Sequence, residues 1–130
     1  MAAALNFAAT PRLAAIAIST ANTNRDGTGT VPTLITGVAA GTRLERVRIT
    51  ATGTVTAGVV RLFLHDGASF FLIEEVMVAA TTPSATIKTF VSDVIFGDVR
   101  PISLPTASWS IRASTHNAEG FTVSAVGADF

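Results

Sequence analysis

His65-Asp66 sets an imidazole beside a carboxylate, the pairing that orients a histidine base in acyl transfer. Adjacent residues near a turn seldom face each other, and no serine in a nucleophile elbow accompanies them. Asp66-Gly67 between apolar runs also has a structural reason to be there, because this dipeptide accepts the positive φ angles of a tight hairpin. Glu74-Glu75 invites comparison with the paired carboxylates of glycosidases. Neighbours on a strand point to opposite faces, so the two cannot flank one glycosidic bond. One is expected to face solvent and the other to pair with an arginine.

The two histidines, His65 and His116, have Asp66 and Glu119 near them in sequence. A site of two histidines and a carboxylate requires the fold to bring those loops together, and no recognisable ligand spacing supports one. Asp93 and Asp98 do not match the closely spaced oxygens of a calcium loop and read as loop solvation. Gly27-Thr28-Gly29 lacks the lysine of a phosphate loop and the third glycine of a dinucleotide fingerprint, which leaves turn chemistry. With no cysteine, thiolate nucleophiles, disulfides and cysteine zinc sites are excluded. The expectation is a protein that is not an enzyme and holds no metal or cofactor.

One cluster remains. Arg43, Arg46 and Arg48 are the sole concentration of basic residues, with Glu45 among them. Their forked donors suit carboxylates and carbonyls across a protein interface, or else acids on the same strand face. Nine basic and nine acidic residues balance to zero, and the chain has one Trp and no Tyr. Nonspecific nucleic-acid binding needs a basic excess and stacking aromatics, so no nucleic-acid partner is expected.

The elements that position these residues read as strands. The third runs from Thr42 to Thr52, with Val47, Ile49 and Ala51 on one face and Arg46, Arg48 and Thr50 on the other. Val59 to His65 places Val60, Leu62 and Leu64 opposite Val59, Arg61 and Phe63, and after the Asp66-Gly67 turn the chain returns as Phe70 to Val78. Leu13 to Ser19, Val31 to Thr36, Ser84 to Val91 and Ile102 to Leu104 are further strands, with Pro32 placing the second at an edge or a strand start. Ser108 to Ser114, where Trp109 alternates as a core residue, and Phe121 to Ala125 are the cleanest period-two segments. Residues 92–106 hold Gly97, Pro101 and Pro105 and read mostly as connection. Eight or nine strands without an amphipathic helix predict a single-domain antiparallel β-sandwich or jelly roll over residues 13–130.

Residues 1–12 precede it as an N-terminal arm, whose free part, Met1 to Thr10, carries Leu5 and Phe7 among small uncharged residues. They lack the positive start and the apolar run of a signal peptide, and no stretch approaches the length of a membrane span, so no membrane partner is expected. Charged residues make up only 14% of the chain, against about 25% in an average soluble protein. Val59, Phe63, Phe70 and Phe90 fall on strand faces opposite the inferred core and form an apolar patch there. Both features predict a homo-oligomer.

Val60-Arg61-Leu62-Phe63-Leu64-His65-Asp66-Gly67 and the run Trp109-Ser110-Ile111-Arg112-Ala113-Ser114-Thr115-His116-Asn117-Ala118-Glu119, with Thr82-Pro83-Ser84-Ala85-Thr86 between them, resemble small proteins encoded among the structural genes of tailed phages. The likeness covers Gly41 to Gly127. It implies a virion protein on the capsid surface, a decoration or cement protein that stabilises the head by binding the major capsid protein, often as a trimer. No functional residue carries over from it. Composition adds Leu5 and Phe7 of the arm and Arg43, Arg46 and Arg48 as the partner-binding residues. The competing readings are a tail or fibre component and a carbohydrate-binding sandwich used in host attachment.

Overall fold

The computed structural model describes residues 7–130. Nine strands and no helix are found among them: β1 (Thr10–Ile18), β2 (Thr33–Thr36), β3 (Thr42–Ala51), β4 (Gly58–His65), β5 (Phe70–Val78), β6 (Val91–Ile95), β7 (Ile102–Leu104), β8 (Ser110–Thr115) and β9 (Phe121–Asp129). Every ladder between them is antiparallel. A five-stranded sheet runs β1-β9-β3-β6, with β7 beside the start of β3, and a four-stranded sheet runs β2-β8-β4-β5. The two pack as the sandwich that the period-two pattern predicts.

Strand alternation fills the space between the sheets. Val47, Ile49 and Ala51 of β3, Val60 and Leu62 of β4, and Phe121, Val123 and Ala125 of β9 join one buried cluster, against which Trp109 and Phe90 pack half-buried. The β4–β5 hairpin forms at Asp66-Gly67, where Gly67 has φ of 103° and Asp66 Oδ1 accepts the N–H groups of Ala68 (2.9 Å) and Ser69 (2.7 Å). β2 is an edge strand, and Pro32 stands just before it.

Three expectations from the sequence are corrected. The strand placed at Ser84 to Val91 lies instead at Val91–Ile95, alongside Arg46 to Thr50 of β3. Ser84 folds its own surroundings into a turn: its hydroxyl accepts the N–H groups of Thr86 and Ile87 (3.2 Å each), which takes those groups away from any ladder. The first strand begins at Thr10, so the sheet takes in Pro11 and Arg12, assigned to the arm by composition. Arg12 is held there by Asp129 at 3.0 Å and by the Thr36 carbonyl at 3.0 Å.

The third correction concerns the supposed patch. Phe63 is fully buried and Phe90 packs against the core, so neither belongs to an exposed apolar face. The long loop between β1 and β2 folds over the outer face of β4 and β5. Gly27, at φ 88°, comes so close to Phe70 that a Cβ there would collide with the ring. Phe70 in turn stands edge-on to Phe63, centroids 6.2 Å apart, under the Arg112 guanidinium at 5.5 Å.

Candidate interaction surface

The three clustered arginines come from β3, where the pleat sends Arg46 and Arg48 away from the core and a bulge between Leu44 and Arg46 brings Arg43 to the same side. Register across the sheet then sets their neighbours. Arg46 lies between Val126 of β9 and Ile95 of β6, and Val126 continues the row to Leu13 of β1. The next row is Ala15, Ser124, Arg48 and Asp93, and the one after it Ala17, Thr122, Thr50 and Val91. The outer face of the five-stranded sheet is thus small, hydroxylated or aliphatic, apart from its arginines and Asp93.

The arginines are not equivalent. Arg48 makes a forked pair with Asp93, Nε to Oδ1 at 2.8 Å and Nη2 to Oδ2 at 3.0 Å, and these bonds hold the Asp93 carboxyl below its ordinary pKa. Arg43 reaches Asp98 at 2.8 Å and lies against Glu45 at 2.9 Å. Arg46 has no ion pair among the described residues, and its Nε is buried without a hydrogen-bond partner. Two of the three cations are therefore ion-paired among the described residues, and Arg46 is not.

Leu5 lies outside the described residues. Phe7 is 71% exposed, and Ala9 donates to the Asp129 carbonyl at 3.0 Å, which sets residues 7–9 at the end of the sheet where β9 meets Thr42. Thr42 Oγ1 donates to Asp129 Oδ1 at 2.7 Å and Arg43 is the next residue along β3. The structure brings Phe7 and Arg43 to one end of one sheet, with Arg46 and Arg48 farther along the same face.

The residues weighed for chemistry are dispersed. His65 and His116 lie toward opposite ends of the β4–β8 ladder, in which His65 pairs with Ser110 and Val60 with Thr115. Among the described residues no group of three or more His, Asp and Glu side chains comes together as a metal site would require. Glu74 and Glu75 both pair with arginines, contrary to the expectation that one would face solvent alone: Glu74 with Arg100 at 2.6 Å, Glu75 with Arg25 at 3.0 Å and Arg61 at 3.1 Å. Arg25 foremost, and then Arg61, hold the Glu75 carboxyl below its ordinary pKa.

Arg61 is the residue that sequence reasoning missed. Its side chain is 1% exposed, beneath the β1–β2 loop. It donates to the Asn22 carbonyl at 3.2 Å and to Glu75 at 3.1 Å, and its Nη2 meets His116 Nδ1 at 3.2 Å. Asn22, also buried, donates to the carbonyls of Thr28 (2.9 Å) and Thr30 (3.0 Å) and so shapes the loop. The available signal was a lone cation on a strand apolar on both faces. Beside this loop a cavity of about 100 Å³ carries the hydroxyls of Ser19, Thr20, Thr30, Ser114 and Thr115, a neutral lining that supplies hydrogen bonds but no acid or base.

Comparison with known proteins adds no relative: no family model matches the chain, and no curated protein matches it significantly.

Proposed function

We propose that this protein is a structural component of a virion, a decoration protein that attaches to the major capsid protein on the head of a tailed phage and stabilises the shell by burying surface between its subunits. The observation that supports the reading best is the outer face of the five-stranded sheet. Its rows of alanine, serine, threonine, valine and leucine present little that is costly to desolvate. Arg46 stands among them with no ion pair among the described residues and with its Nε unbonded. A carboxylate or a row of carbonyls on a partner would complete it, as charge-assisted bonds do at protein interfaces. Phe7, exposed at one end of that face, serves as an apolar anchor, and Leu5 of the arm is proposed as a second. The sugar-binding alternative draws no support from Trp109, which packs against the core rather than standing free for a sugar ring.

Binding to phage particles that lack the protein tests the reading. The full chain is expected to saturate the heads at high copy number, a chain without residues 1–10 to bind more weakly, and Arg46→Glu to weaken binding by less than the truncation. Recovery of the protein on tails, or equal affinity of all three for unrelated particles, would overturn the proposal.

A further inference from the structure

Sheet edges expose unpaired N–H and C=O groups, and folded chains protect them by shortness, charge or cover. Most edges here are protected. β2 has four residues, β7 three, and β6 five with Asp93 among them. β5 has nine residues but carries Glu74 and Glu75 at its middle. β1 differs from all of these. It is also nine residues long, its one sheet neighbour among the described residues is β9, and it carries no carboxylate, its one charge being Arg12 near the start of the strand. Leu13, on its outer side, is 76% exposed, and Ala15 and Ala17 beside it are exposed and small.

Charge indicates what suits this edge. Self-pairing of β5 about Glu74 would crowd that carboxylate and its Arg100 partner against their own counterparts at the axis, and like charges directly opposite destabilise a ladder. Self-pairing of β1 meets no such conflict. Centred on Ala14, an antiparallel pair sets Leu13 against the second copy's Ala15 and Arg12 against the second copy's Ile16. Alanine at the centre lets the backbones approach without displacing side chains. We infer that β1 pairs antiparallel with β1 of a second copy of this chain about a two-fold axis at Ala14, so that two five-stranded sheets continue edge to edge. Leu13 is covered in the process, and the outer faces of both copies, Arg46 included, become one surface. The inference concerns two copies of this chain and stands independently of the phage reading, since a dimer that ignores phage heads would refute only the latter.

Sedimentation velocity on the full chain over a wide concentration range is the test. The wild type is expected to reach a dimer and stop there, because one edge paired about a two-fold axis leaves no second copy of that edge free. The double variant Leu13→Lys with Ala15→Lys sets lysines opposite each other across the axis at exposed positions. Its dissociation constant is expected to rise at least tenfold with an unchanged circular dichroism spectrum. The chain has no cysteine, so a single substitution gives an unambiguous second reading: under mild oxidation Ala14→Cys cross-links to itself, and Met77→Cys, 76% exposed on β5, does not. A monomer at every concentration, a trimer, a dimer indifferent to the two lysines, or preferential cross-linking through position 77 would each overturn the inference.

Discussion

Replacing Arg61 by methionine probes the least obvious feature of the fold, the buried guanidinium that ties the β1–β2 loop to the outer face of β4. Methionine keeps the stem buried and removes the charge and its hydrogen bonds. Three partners are affected unequally. Glu75 retains Arg25 and is a third open to water, so it is not stranded. His116 is half-buried and accessible to solvent. The Asn22 carbonyl, 3.2 Å from Nη1, loses its donor in a site where Asn22 is 5% exposed, and an unsatisfied buried acceptor costs about 1–3 kcal/mol. The expected loss from Arg61→Met is therefore about 2 kcal/mol, below the 3–5 kcal/mol or so seen when a buried pair is broken and a charge left alone. At about 4 °C per kcal/mol for a domain of this size, the melting temperature falls by roughly 8 °C. Urea denaturation at neutral pH, analysed with unchanged m, measures it. Glu75→Gln supplies the control, since it leaves a buried cation without its carboxylate and should destabilise the wild type more than it destabilises the methionine variant. A loss from Arg61→Met under about 0.5 kcal/mol, or an equal effect of Glu75→Gln in both backgrounds, would refute the reasoning.

Phe63→Ala should cost about 3–5 kcal/mol, the range for emptying a buried aromatic site, whereas a phenylalanine on an exposed patch would be nearly neutral; thermal unfolding separates the two. Gly27→Ala combines a left-handed backbone, φ 88°, with a collision against Phe70, and is expected to lower stability by more than 1 kcal/mol or so and to loosen the loop, seen as faster amide exchange at Asn22 and Thr28. Glu75, Asp93 and Asp66 are depressed in the folded state, by Arg25, by Arg48 and by the N–H groups of Ser69 and Ala68 respectively. Their contribution is present above the ordinary values, 4.5 for Glu75 and 3.8 for the aspartates, and is lost as pH falls through the lower folded values. The melting temperature should hold from pH 7 to pH 5 and drop below; a fall confined to the first interval would contradict this assignment.

Local rules made most of the strands legible. Alternation is a property of adjacent residues, so the two faces of β3, the return strand Phe70–Val78 and the turn at Asp66-Gly67 follow from residue types and spacing, as does the edge position of β2 beside Pro32. The same rule placed Arg46 and Arg48 on one outer face, whereas Arg43 joins them only through the bulge between Leu44 and Arg46, which alternation does not foresee. It could not say that Arg48 and Arg43 are neutralised by Asp93 and Asp98 while Arg46 is not, because those acids arrive through a ladder and a loop some 45 and 55 residues away. Ser84 to Val91 alternates as well as a true strand, but Ser84 captures the nearby N–H groups, and the available edge of β3 takes Val91–Ile95 instead. Alternation likewise assigns Phe63 and Arg61 to the face away from the core without revealing that a loop from before β2 covers it. Which side of an unbulged strand a residue points to is local and was determined by the sequence alone. What lies over that side depends on chain segments distant in sequence, and only the tertiary structure decided it.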